Sequence, residues 1–118
     1  DRVFAAGHVP HSWLLPQVAA VVHQAGAGIT AACLRAGAPG IPLPLHTDQF
    51  FWARRAHELG AAVTPLTDKR VNRDVLKSRV EEAISNSDYR RRAAEIGARL
   101  DDGDSTAPLR RWAAACDG

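Results

Sequence analysis

His23, Gly26, Ala27 and Gly28 stand between an apolar run and a segment of helical periodicity, in the order VVHQAGAGITAACL. Glycines where a strand passes into a helix let the backbone approach an anion closely and aim free N–H groups at it. The space suits a phosphate. The field of a helix end contributes about 0.3 to 1 kcal/mol at exposure, whereas a hydrogen bond to a charged oxygen contributes about 1.5 to 3, so specific donors dominate and His23 is the nearest side-chain candidate. A second pair, Asp48 and Gln49, follows the next apolar run. A carboxylate beside a carboxamide offers acceptors and donors together, which suits vicinal hydroxyls. The bland alternative is a glycine pair that only permits a tight turn, with His23 capping a neighbouring carbonyl.

The elements around these residues must bring them to one place. Residues 19–22 form a continuous apolar run, the pattern of a strand covered on both faces in a parallel sheet. Residues 29–36 read as a helix with Gly37 as its stop signal, and residues 41–45 as a second buried strand, short or near an edge because Pro42 and Pro44 lack ladder donors. A helix from about residue 49 to 59, closed by Gly60, and a brief strand at residues 61–63 complete an alternation that marks an α/β sheet with right-handed crossovers. Ligands of such sheets sit beyond the carboxyl ends of the strands, so both markers face one crevice. An earlier strand is expected at residues 3–6 and one helical turn at residues 13–18. Beyond Pro65 only helices follow: one capped by Asn72 with Leu76, Val80, Ala83 and Ile84 on a face, one capped by Ser87 with a stripe of Tyr89, Ala93, Ile96 and Leu100, then a polar break at residues 101–104 and a last amphipathic helix carrying Leu109, Trp112, Ala113 and Cys116.

A chain of 118 residues with 46% hydrophobic residues is one small domain or a piece of a larger one. The net charge of +2, from 15 basic and 13 acidic residues, is too balanced to steer a polyanion, which argues against nucleic acid. Arg90, Arg91 and Arg92 spread around a helix as a solvated face. Cys33 and Cys116 lack paired spacing and suggest a reducing cytosol. No run is long and apolar enough for a membrane span, and the five histidines show no metal-ligand spacing. Trp13, beside Leu14 and Leu15, reads as core; His8 and His11 read as loop residues, His46 as a neighbour of the Asp-Gln pair, and His57 as a surface residue. Gly26-Ala27-Gly28-Ile29-Thr30-Ala31 also satisfies the glycine pattern of dinucleotide-binding folds, with Asp48 about 20 residues on, whereas no Lys-Ser or Lys-Thr follows to make a Walker phosphate loop.

The stretch VPHSWLLPQVAAVVHQAGAGITAACLRAGAPGIPLPLHTDQFFWARRAHELGAA resembles the donor-binding signature of family 1 nucleotide-sugar-dependent glycosyltransferases of the GT-B type, above all the bacterial antibiotic (macrolide) and sterol glycosyltransferases. Those enzymes carry a His-His-Gly-Gly-Ala-Gly-Thr-Thr type motif and a later Pro-x-x-x-Asp-Gln, matched here by residues 23–30 and 44–49. Ala25 stands where the family has glycine and Ile29 where it has threonine. The resemblance implies a Rossmann-like parallel sheet flanked by helices with a C-terminal helical tail. It further implies that His23 meets the donor diphosphate, that the backbone of Gly26, Ala27 and Gly28 cradles it, that Asp48 and Gln49 bind the sugar hydroxyls, and that the Val9 backbone meets the base. Ala31 falls where plant members hold a ribose-binding glutamate.

The function so implied is inverting transfer of a hexose from a UDP- or TDP-sugar to a hydroxyl of a small lipophilic acceptor, of natural-product, sterol or glycolipid type, with no metal and no permanently bound cofactor. Residues 1–118 are then a partial donor domain that begins inside the fold. The N-terminal acceptor domain with its general base is expected to be absent, the isolated chain inactive and Trp112 partly exposed. A cytoplasmic location is expected, with any membrane association carried by the missing part. The alternatives are an NAD(P)-binding domain and a non-catalytic remnant.

Overall fold

The computed structural model describes residues 7, 9–67 and 71–100 of the chain. The strand expected at residues 3–6, His8, and everything expected beyond residue 100, including the exposure of Trp112, lie outside these residues. In chain order the elements are α1 (His11–Leu14), which runs into a 3-10 turn (Leu15–Gln17), β1 (Val21–His23), α2 (Ala27–Ala36), β2 (Gly40–Pro42), α3 (Thr47–Glu58), α4 (Arg73–Ser85) and α5 (Ser87–Leu100). β1 and β2 are parallel, with Val21 opposite Gly40, Val22 opposite Ile41 and His23 opposite Pro42. This is the expected α/β arrangement of parallel strands flanked by helices.

The expected third strand is reduced to a parallel bridge between Gly40 and Ala62. Pro42 explains why. Gly40 donates to the Ala61 carbonyl and accepts from Val63 N–H, so the next donor on that side of β2 belongs to residue 42, and proline has none. The Pro42 carbonyl still accepts from Leu66 at 2.9 Å, which keeps the segment alongside. β2 is therefore short, three residues, as the prolines suggested, but it has neighbours on both sides and is not an edge.

Local chemistry sets the helix ends. Gly37 takes the left-handed conformation at φ 67°, and the amide of Ala38 returns to the Cys33 carbonyl, closing α2 as its glycine forecast. The Asn72 side chain accepts from Asp74 and Val75 amides and starts α4. The cap of α5 is Asn86, whose Oδ1 accepts from the Asp88 amide, rather than Ser87, which is already helical. Asparagine and serine serve equally well at this position, so the pair could be ordered only by the backbone.

Three apolar clusters hold these elements. Leu34, Ala61, Ala93, Ile96 and Leu100 join α2 to α5; Ile41, Val63, Leu66 and Ala83 join the sheet to α4; Leu15, Cys33 and Ala38 fill the space beside the 3-10 turn. Ile41 and Val63 are fully buried, which is worth roughly 1.5 to 3 kcal/mol each. Ile84 turns out of the α4 face to 54% exposure, and Trp13, expected in the core, is 60% exposed on a helix of only four residues that buries nothing. Arg90 and Arg92 are not merely solvated: Arg90 donates to the Val18 and Ala19 carbonyls and Arg92 to the Leu59 carbonyl, tying α5 to two loops. Arg91 alone of the three makes no such bond to a carbonyl among the described residues; it is paired with Asp88 and Glu95.

Candidate functional site

β1 ends at His23, and three residues, Gln24 to Gly26, turn the chain into α2. The turn is made by Ala25, at φ 67° and fully buried, and not by a glycine. Gly26 has ordinary extended backbone at φ −64° and Gly28 is helical. A Cβ built on either glycine meets no atom within 4 Å. Neither backbone conformation nor packing inside the chain requires glycine there, so the tight-turn explanation of the pair does not hold. What the two positions keep open is space outside the helix.

That space borders the amides of Ala27, Gly28 and Ile29, the first-turn donors that an α-helix leaves without intrahelical acceptors. No side chain caps this end, and the helical ladder starts with the Thr30 amide on the Gly26 carbonyl at 3.0 Å. Thr30 is buried, with its hydroxyl lacking a hydrogen-bond partner. Among the described residues these N–H groups form an unpaired cluster in a positive helix-end field, with no side-chain cap.

His23 is partly buried and does not stand free at this loop. Its Nδ1 accepts from the Ala25 amide at 2.9 Å, and its Nε2 lies over Gly40 on β2. Burial pushes the imidazole pKa down to about 4, so the ring is neutral near pH 7. A left-handed alanine costs roughly 1 to 2 kcal/mol, and a neutral hydrogen bond returns about 0.5 to 1.5, so the ring contact is of the size needed to hold the turn.

Asp48 and Gln49 occupy the first turn of α3, which leaves the carboxyl end of β2 just as α2 leaves that of β1. Because the two strands are parallel neighbours, both helix starts lie along one edge of the sheet. Gln49 is half committed: its Oε1 accepts from the Leu45 amide at 2.7 Å and the His46 amide at 3.1 Å. The carboxamide nitrogen is left to donate. Asp48 is exposed, and its carboxylate complements the helix start. Leu45 at 63% exposure and Phe50 at 43% flank the pair with open apolar surface. His46 is exposed at the N-cap of α3, and Val9 is half-buried, one residue before the Pro10 N-cap of α1. His57, expected at the surface, is half-buried with Nδ1 3.0 Å from the Ala62 carbonyl.

Two participants were missed in the sequence. Gly40 fell just outside the strand expected at residues 41–45, whereas it lies inside β2, where a glycine signals a close approach by another group. Ala25 registered only as a departure from a glycine pattern, whereas it supplies both the turn and the amide that holds His23. Among the described residues no group of three or more His, Cys, Asp or Glu side chains is placed to hold a metal, and no helix is long and apolar enough to cross a membrane. A hollow of about 220 Å³ lined by His11, Ser12, Pro16, Ala32, Arg35 and Ala36 contains none of the candidate residues.

The family described as Erythromycin biosynthesis protein CIII-like, C-terminal domain, matches residues 1–106. The chain is similar to the sterol 3-beta-glucosyltransferase of Kluyveromyces lactis, at 40% identity over 95 residues, covering 80% of this chain and 8% of that protein. It is similar to the O-mycaminosyltylonolide 6-deoxyallosyltransferase of Streptomyces fradiae, at 40% identity over 87 residues, covering 74% of this chain and 21% of that protein. A terpene cyclase-glycosyl transferase fusion protein of Humicola fuscoatra is 50% identical over 66 residues, 56% of this chain and 5% of its own length. The chain thus spans a small part of each of these relatives. The matches are to glycosyltransferases, which use nucleotide-sugar donors, and they lend no support to the NAD(P) alternative. With the open glycines, the unpaired amides and the Asp-Gln pair on one sheet edge, and a match over residues 1–106, the chain belongs to the Erythromycin biosynthesis protein CIII-like C-terminal domain family of family 1 glycosyltransferases.

Proposed function

We propose that this domain forms the donor half of an inverting glycosyltransferase site. Residues 1–118 act as part of a larger enzyme whose N-terminal domain supplies the acceptor pocket and the general base. The observation that carries the reading is the pair Gly26 and Gly28, which face empty space at an uncapped helix start beside Asp48 and Gln49. The amides of Ala27 and Gly28 donate to the donor diphosphate, with the Gly26 backbone beside them. Asp48 accepts from sugar hydroxyls, and Gln49 donates to them through the nitrogen that its capping role leaves free. The Val9 backbone meets the base, and the donor is a UDP- or TDP-hexose.

In the reaction an acceptor hydroxyl loses its proton and attacks the anomeric carbon while the bond to the diphosphate oxygen breaks, with inversion. Negative charge grows on the leaving diphosphate. Amides already aimed at that charge stabilise the transition state without reorganising. The names of the sterol and macrolide relatives point to a lipophilic acceptor, and such an acceptor fits a cytoplasmic enzyme that meets membranes through its other domain.

Calorimetric titration of the protein with UDP-glucose, TDP-glucose and NAD tests the reading. Binding of a sugar nucleotide that is lost when Gly28→Val fills the cradle is the expected result. Binding of NAD with no response to either sugar nucleotide overturns it.

A further inference from the structure

Leu45 and Phe50 bracket the residues assigned to the sugar. Counted from the α3 N-cap at His46, Leu45 stands immediately before the cap and Phe50 at the fourth helical position, with Asp48 and Gln49 between them. Apolar side chains at those two positions form the staple that fixes how a chain enters its helix. A staple accounts for their apolar type but not for their exposure. Leu45 is 63% and Phe50 43% exposed, and neither belongs to the three apolar clusters that the described residues form. What Leu45 gives the helix start is its backbone amide, which donates to Gln49 Oε1. The other large apolar side chains exposed among the described residues, Trp13, Val22 and Ile84, stand singly on three different elements. Single ones are ordinary on any surface; two at one helix start, on either side of a polar pair, are not.

The reaction fixes what comes next to this surface. An incoming hydroxyl must meet the anomeric carbon of the sugar that Asp48 and Gln49 hold, in line with the breaking bond. A hexose ring carries its hydroxyls beside its anomeric carbon, so the groups that hold the hydroxyls also border the path of the acceptor. His46 and Thr47, both exposed, give that border a polar rim, and Leu45 and Phe50 give it hydrocarbon bulk.

We propose that Leu45 and Phe50 form the donor-domain wall of the acceptor site, where they take the hydrocarbon body of a lipophilic alcohol next to its reacting hydroxyl. They are specificity-determining residues: they favour an apolar acceptor over water or a polar alcohol, and leave the sugar nucleotide to the α2 amides, Asp48 and Gln49. The inference rests on the proposed donor site and adds the surface on which the second substrate lies.

The enzyme complete with its acceptor domain is assayed with UDP-glucose or TDP-glucose, whichever the wild type binds. The acceptors are two lipophilic alcohols, cholesterol and 1-decanol, then glycerol, and water, the last read as hydrolysis of the donor. Leu45→Ser and Phe50→Ser should each raise the KM for the lipophilic alcohols about tenfold, the effect that a few methylenes make in an apolar pocket, while donor affinity by calorimetry and the glycerol and water reactions stay within about twofold. Leu45→Ile and Phe50→Leu, which keep the apolar bulk, should hold that KM within about threefold of wild type. Serine variants with an unchanged KM for the lipophilic alcohols overturn the proposal, as does a wild type that binds donor yet favours neither lipophilic alcohol over glycerol. Equal losses with every acceptor and a lower urea midpoint also overturn it, because the side chains then only staple α3 or seat the acceptor domain. A wild type that binds neither sugar nucleotide instead sinks the reading of the donor site, and is told apart because no donor is consumed with any acceptor, water included.

Discussion

The two ends of α2 use glycine for opposite reasons. Near its C-terminal end the helix packs on α5, and Gly97 of α5 lies so close that a methyl group there would overlap the Leu34 carbonyl and stand 2.8 Å from the Arg35 Cα. At its N-terminal end Gly26 and Gly28 have nothing within 4 Å of the same added atom. A glycine pressed against backbone serves the fold; a glycine that faces nothing inside the chain keeps room for something outside it. The contrast separates core from site with no reference to residue type, since the type is identical.

The sharpest way to break this contrast is at Gly97. Gly97→Ala must push α5 off α2, separating Leu34 from Ala93, Ile96 and Leu100, and should cost roughly 3 kcal/mol or more, read as a large drop in the urea midpoint. Gly28→Ala should do the reverse. Adding a methyl to the first turn of a helix raises stability by a few tenths to about 1 kcal/mol, while sugar-nucleotide affinity falls at least about tenfold because the methyl projects into the cradle. An alanine at 28 that left donor affinity untouched would remove the basis for calling the open end a site.

Acid provides a smaller test. The unfolded chain takes up a proton on His23 near its ordinary 6.5, and the folded chain only near 4, because burial disfavours the charged ring. The unfolded state therefore binds more protons between those values, and stability falls as pH drops from about 6.5 to about 4, then levels off. The contribution is on the order of 1 to 3 kcal/mol after allowance for the partial exposure of the ring. Urea unfolding of wild type and His23→Asn across this range should diverge on the acid side, and parallel curves would mean that the ring is not held in the core. The smallest effect belongs to Ala25→Gly. Relief of the left-handed strain is offset by loss of a buried methyl, so stability should change by less than about 1 kcal/mol, with donor affinity kept because the amide remains.

Signals that act within a few residues were legible in the chain. Gly37 closed α2 and Asn72 opened α4, each through a hydrogen bond to a near neighbour in sequence. The glycine pair and the Asp-Gln pair could be placed on one edge because parallel strands with intervening helices must put them there. Signals that depend on a distant partner misled. Trp13 read as core from its apolar neighbours, yet it is largely exposed; the third strand lost its ladder to a proline on the adjacent strand; and Arg92 found the Leu59 carbonyl across the fold.

The chain alone determined the order of strand, glycine pair, helix and carboxylate–carboxamide pair, because periodicity and capping are local properties. Tertiary structure alone decided which way the His23 ring turns, since that depends on the missing side chain of Gly40 on the neighbouring strand. It also decided that Ala25 makes the turn while Gly26 and Gly28 stay open. A side chain's direction is settled by the space that other elements leave for it, and that space exists only once the strands have paired.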